Sequence, residues 1–393
     1  MAVAEFELGK SKVRSITVDS LTARLKHRWS IGHNYLSGIT AGDWWRLLRD
    51  NRFGVDPVYW HRGAVVSLLS LFNSFHRRRE SRLYDEKIAA TPITRAPLFI
   101  LGHWRSGTTH LHNLLAQDDL NFCFPNTYQV VNPHTFLTTE EANTRRFAWM
   151  IPDKRPMDNM ALSFQSPQED EFAPLLISRL SSYLGVSFPR REDFYNRYLT
   201  FHDATPEEIA RWKDAFVWFA KKLTLKYGRA LLMKSPPHTA RIRLLLEMFP
   251  DAKFVHIHRD PVEVFQSFRH YHDTAMWHTY LQRPDRSAID EQIIQRYRTL
   301  YGAFRSDLPL IPEGRFHEVS FESIEREPME TVRGIYEALS IPDFENAKPK
   351  IESYVATLDG YEKNRLATLE EPMKARLETE WREFYEPWGY RIR

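Results

Sequence analysis

The chain has 393 residues, with 54 Lys+Arg against 51 Asp+Glu and a net charge of +3 when His is neutral. That length can bury a large core, and the near balance of charge excludes the broad basic surface that wholesale nucleic-acid binding needs. A single cysteine, Cys123, excludes an intramolecular disulfide framework, fits a reducing compartment, and reads as a small core residue.

Residues 1 to about 90 read as a mostly helical extension with turns near Gly32, Gly38 and Gly54 and a short helix from Asp43 to Asp50. The first residues, Met1 to Leu8, lack a basic stretch followed by an apolar one, so no signal peptide is expected. The most apolar run, Gly63 to Phe75, is followed by His76-Arg77-Arg78-Arg79. It is shorter than the roughly 20 residues that span a bilayer. A helix packed on the core is the favoured reading; a helix lying in a membrane surface, through residues 60–79, stays open. Trp44, Trp45, Tyr59 and Trp60 suit either.

From Pro97 the pattern alternates strand and helix. Pro97 to Leu101 is an apolar run of strand type, and Leu111, Leu114 and Leu115 carry helical spacing. The turn between them, Gly102-His103-Trp104-Arg105-Ser106-Gly107-Thr108-Thr109, fits G-x-x-x-x-G-K-[ST] except that Thr108 stands in the lysine position. Backbone N–H groups and a helix N-terminus converge in such a turn and bind phosphate. Without the lysine that reaches a triphosphate, and with Arg105 inside the turn, the pattern points to sulfuryl transfer rather than to a nucleoside triphosphatase. Residues 119 to about 200 read as an irregular insertion of the kind that builds an acceptor pocket or lid. Thr205-Pro206-Glu207-Glu208 is a helix start, and the helix runs to Gly228. Strands follow at 229–233, 253–258 and 315–320, with a helix through Ile242 and Leu245 between the first two. Arg259-Asp260-Pro261 closes the second of these strands, and the helix that Pro261 opens carries Ser267. The whole predicts an α/β fold: a mainly parallel sheet with helices on both faces and three anion-facing loops at one edge.

On these residues the chain resembles the sulfotransferases that use 3′-phosphoadenosine 5′-phosphosulfate (PAPS). Arg105-Ser106-Gly107-Thr108-Thr109 looks like their 5′-phosphosulfate loop, and Arg259-Asp260-Pro261 with Ser267 looks like their 3′-phosphate motif. Phe316 to Ile324, then Glu327-Pro328 and a helix through Val332, Ile335 and Leu339, resembles their late strand, acidic loop and helix. The resemblance implies a catalytic domain over 91–393. It implies PAPS or its product 3′-phosphoadenosine 5′-phosphate (PAP) bound by His103, Trp104, Arg105, Ser106, Gly107, Thr108, Thr109, Arg259 and Ser267. Arg105 would stabilise charge on the leaving phosphate, and Lys234 would assist at the sulfuryl oxygens or pair with a carboxylate.

The acceptor, a hydroxyl or amine of unidentified origin, also needs a general base. Relatives carry a His two residues beyond a strand-end lysine; here Lys234 is followed at that distance by Pro236, and His238 comes two residues later. The base is therefore left between His238 and an acid of Gln168-Glu169-Asp170-Glu171, namely Glu169 or Asp170, whose ordinary reading is the solvated start of a helix. Gly360 to Arg365 is a loose match to a basic segment that closes over the nucleotide, with a surface turn as its ordinary reading. His256 and His258 share a strand face but lack a third ligand, and the scheme calls for no metal. The expected location is cytoplasmic, with a membrane-peripheral one open. A P-loop kinase or nucleoside triphosphatase, and a non-catalytic nucleotide-binding or membrane-associated scaffold, are the alternatives.

Overall fold

The computed structural model describes residues 25–32, 34–147, 160, 163–358 and 366–392. Its sheet is built from β1 (Leu98–Leu101), β2 (Phe122–Cys123), β3 (Ala230–Lys234), β4 (Lys253–His258) and β5 (Phe316–Ser320), in the order β2-β3-β1-β4-β5. All four pairings are parallel. Every residue of β1 is buried, the mark of a strand covered on both faces. Side chains alternate accordingly. Phe99 and Leu101 join Met233 and Phe254 in one core, while Leu98 and Ile100 join Leu232 and Val255 in another.

Four of the five strands fall where the apolar runs predict them. The fifth, Phe122–Cys123, is two residues long and leaves no periodic signal; it seats Cys123 in the core, where burial pushes its thiol up to about 11. The helix Pro206–Tyr227 starts on the expected capping box of Thr205 and Glu208 and stops at Gly228, which is left-handed at φ +65°. The stretch read as irregular proves instead to hold short helices, among them Thr127–Val131, Phe136–Phe147, Phe172–Ser178 and Glu192–Asn196. The aromatic residues of this stretch, Tyr128, Phe136, Phe188, Tyr195 and Phe201 among them, are core. Elements of four to twelve residues are too brief to declare a period.

Before the sheet come α1 (Ala41–Asp50) and α2 (Trp60–Ala90). The inward residues of α2 are largely polar and make specific bonds. The Arg62 guanidinium donates to the carbonyls of Trp277 (2.8 Å) and Tyr280 (2.9 Å), and Asn73 to those of Ser37 and Ile39. Glu80 receives Lys222 Nζ at 2.5 Å, both side chains buried, and also the N–H and hydroxyl of Thr138. The reading of Gly63 to Phe75 as a core-packed apolar helix is thereby corrected: Leu68, Leu69, Leu71, Phe72 and Phe75 face outward. No helix among the described residues is long and apolar enough to cross a membrane.

Lys222→Met leaves the Glu80 carboxylate enclosed without its cation. Thermal unfolding should report a loss of about 3–5 kcal/mol, against about 1 kcal/mol or less if the pair were solvated.

Candidate active site

The strand-to-helix turn after β1 owes its shape to two glycines. Gly102 has φ +149° and Gly107 φ +100°. A Cβ on Gly102 would stand 2.6 Å from the Ile257 carbonyl, and one on Gly107 would stand 2.3 Å from the Phe321 ring. Arg105 between them is left-handed at φ +71°, uncommon for a residue with a side chain. Ser106 holds the turn through its N–H and hydroxyl, both donated to the His103 carbonyl. Thr239 clamps Gly102, accepting its N–H at 2.8 Å and donating to its carbonyl at 3.2 Å. Helix α3 (Thr108–Leu115) begins here with no side chain capping it, so its first-turn N–H groups point at an anion's place.

The second loop meets the first. Asp260 caps the helix Pro261–Thr274 by accepting from the N–H groups of Val262 and Glu263. Nearly two turns into that helix, Ser267 Oγ receives Arg105 Nε at 3.0 Å. Arg259 donates to the Arg105 carbonyl at 3.3 Å, lies 4.1 Å over the Phe321 ring, and pairs with Glu263 at 2.6 Å. Arg105, Ser267 and Arg259, read as nucleotide-binding, therefore form one corner at the β1–β4 edge.

The three acids of the insertion separate. Glu169 faces the loop: Lys234 Nζ lies 3.2 Å from its Oε1 and 3.4 Å from Thr109 Oγ1. Its other oxygen accepts from Tyr183 at 2.5 Å, and the Trp104 indole donates to that same phenol at 3.0 Å. Burial, and then the Glu169 charge, hold the Tyr183 hydroxyl well above its ordinary pKa. Asp170 is wholly buried against His238, Oδ2 to Nε2 2.5 Å. Glu171 is equally buried and takes Arg241 in a two-pronged pair, at 2.6 and 3.0 Å. The solvated helix start expected for these acids is not what forms.

His238 is enclosed between the edges of Phe99 and Phe216, with no exposed surface. Its Nε2 meets Asp170, and its Nδ1 is buried with no hydrogen-bond partner among the described residues. His103 is likewise interior: its Nδ1 contacts the Trp104 carbonyl at 2.8 Å, and burial drives its pKa down to about 3. Its backbone carbonyl and its ring both bond within the turn. The Trp104 ring stacks on Phe268. His256 contacts Glu318 at 2.8 Å, and His258 contacts Tyr390 at 3.0 Å and stacks on Trp388. No cluster of three or more His, Cys, Asp or Glu able to hold a metal occurs among the described residues. Gly360 to Arg365 lies outside the described residues. Tyr183 and Thr239 went unread in the sequence, since each reaches the site by a contact across the fold.

A glycine-shaped strand–turn–helix cradle at the edge of a parallel sheet defines a phosphate-binding α/β protein. The model described as "Sulfotransferase family" matches residues 97–346, more than half of the chain. The chain belongs to the sulfotransferase family, which takes precedence over the kinase reading and implies PAPS as the sulfuryl donor. It is similar to the omega-hydroxy-beta-dihydromenaquinone-9 sulfotransferases Stf3 of Mycobacterium bovis and Mycobacterium tuberculosis, each 34% identical over 353 residues and 90% of both chains. Among solved structures, sulfotransferase STF9 of Mycobacterium avium aligns with TM-score 0.65 and 18% identity over 90% of this chain and 98% of that one. Sulfotransferase STF1 of M. tuberculosis aligns with TM-score 0.59 and 16% identity over 80% and 86%. At those identities the structures speak for the fold.

Gly107→Ala combines backbone strain with a clash against Phe321. PAP affinity measured by calorimetry should fall about ten- to a hundredfold. His238→Ala should cost about 3 kcal/mol of stability in thermal unfolding while turnover per folded molecule stays within about tenfold. An unchanged melting temperature with turnover lowered by more than about a hundredfold would restore His238 as the base.

Proposed function

We propose that the protein transfers the sulfuryl group of PAPS to a hydroxyl of an apolar lipid acceptor, with Glu169 as general base. The observation that carries this reading is the seat of Glu169: within 3.2 Å of Lys234, beside Thr109 of the phosphate loop and against the Tyr183–Trp104 pair. The two glycines let the turn close tightly, since a Cβ at Gly102 or Gly107 would collide with the Ile257 carbonyl or the Phe321 ring, and the uncapped start of α3 suits a phosphate. Thr108, Thr109 and the first-turn N–H groups of α3 would hold the 5′-phosphate, and Arg259 and Ser267 the 3′-phosphate. Bound there, PAPS supplies the sulfuryl group and leaves as PAP.

The protein's part is charge and proton placement. Glu169 takes the proton of the acceptor hydroxyl at its carboxylate. Lys234, held between Glu169 and Thr109, fixes the position of that carboxylate and supplies positive charge toward the sulfuryl oxygens. Arg105 presents a guanidinium fixed by Ser267 where charge develops on the leaving phosphate, so it favours the transition state over the ground state. The rings of Tyr35, Phe172, Tyr183 and Trp104 run tilted against one another at 5.2–6.1 Å between neighbours, with Tyr183 bonded to Glu169. Such a wall suits an apolar acceptor arm, and the acceptor named for the Stf3 relatives, an omega-hydroxylated dihydromenaquinone, has that character.

Glu169→Gln should lower kcat on an omega-hydroxylated isoprenoid quinone by about 10²–10⁴-fold, with PAP affinity little changed. Arg105→Ala should lower kcat more than nucleotide affinity. Full turnover in Glu169→Gln would remove the base from this carboxylate, and equal losses in both parameters for Arg105→Ala would make it an ordinary binding residue.

A further inference from the structure

Helix α2 carries its polarity reversed. Its buried face includes Arg62, Ser70, Asn73 and Glu80, while Trp60, Leu68, Leu71, Phe72 and Phe75 are 63%, 69%, 63%, 57% and 67% exposed. With Ala64, these residues recur at three- and four-residue steps and form one stripe, about 22 Å long from Trp60 to Phe75. The same line continues into Arg78, Arg79 and Arg82, which are exposed and in no ion pair among the described residues. Glu80, the one acid between 60 and 84, is turned inward to Lys222. Trp29, 68% exposed, packs on His61 at the start of the helix and lies under the Arg28 guanidinium.

We propose that this face docks the protein on an anionic lipid bilayer. α2 would lie in the headgroup plane, with the stripe from Trp60 to Phe75 at the acyl boundary and Arg78, Arg79 and Arg82 on lipid phosphates. Charge decides the occupant. An apolar strip followed by unpaired arginines complements acyl chains bounded by anionic headgroups, and exposed tryptophans are at home in that boundary. A second copy fits poorly, since a stable dimer uses roughly 20–30 residues from each partner and this stripe offers six, none of them acidic, the exposed Asp85 and Glu86 lying beyond Arg82. The surface stands on α2 alone, so it holds or fails apart from the acceptor assigned above.

The test is co-sedimentation of the full chain with phosphatidylcholine vesicles, with and without roughly a third phosphatidylglycerol. The wild-type chain should pellet with the anionic vesicles, less so as salt rises. Replacing Arg78, Arg79 and Arg82 by Gln should weaken binding by about a hundredfold, at roughly a kcal/mol-equivalent factor per arginine. The triple variant Leu71→Gln, Phe72→Gln and Phe75→Gln should lose binding at least tenfold, on the order of one buried apolar side chain. PAP affinity should be unchanged in both, which marks them as folded and keeps this test apart from the nucleotide site. A wild-type chain that stays in the supernatant, or variants that pellet as it does, would overturn the proposal. So would a dimer in vesicle-free solution that the apolar variant converts to monomer, because the face would then belong to a second copy.

Discussion

The site depends on one hydrogen bond, from Arg105 Nε to Ser267 Oγ at 3.0 Å. It joins the loop after β1 to the helix after β4, and it exists because these strands are parallel neighbours that release their chains at the same edge. Everything around it preserves that meeting. The Phe321 ring packs where a Cβ on Gly107 would stand and carries the Arg259 guanidinium above it. Arg259 returns to the Arg105 carbonyl and closes the corner. Two cations and a hydroxyl are thus fixed before any ligand arrives, which is the condition for electrostatic catalysis without reorganisation at the moment of reaction.

Opposite that corner, three consecutive carboxylates are sorted by their partners. Burying an ionised carboxylate is costly unless a donor or cation meets it. Asp170 is met by His238 and Ser235, and Glu171 by Arg241 and Ser181. These two spend their charge inside the protein and lock the insertion to β3 and the loop beyond it. Glu169 keeps some exposure and meets Lys234 at the phosphate loop. Adjacent positions in sequence thereby end in three different settings, one at the phosphate loop and two in the interior.

The phosphate loop, the Arg259 corner and four strands were legible because each is written locally, in apolar runs, glycines and a proline after Asp260. The settings of the candidate bases were not. His238 follows a strand end as a catalytic histidine would, yet it is buried against Phe99 and Phe216, 139 and 22 positions away. The three acids look alike in sequence, and only their distant cations tell them apart. For α2 the apolar run was plain, but its direction was not. Arg62, Asn73 and Glu80 find buried partners across the fold, so they turn inward and push the leucines and phenylalanines outward.

The central claim is that the loops after β1 and β4 act together on a nucleotide bearing a 3′-phosphate. Calorimetric titration of the wild-type chain with PAP and with ADP, without added metal, tests it most directly. A charge-assisted contact of the 3′-phosphate with Arg259 and Ser267 predicts a preference for PAP of at least about tenfold. Equal affinity for the two nucleotides would contradict the shared corner and leave the β1 loop as a phosphate cradle on its own.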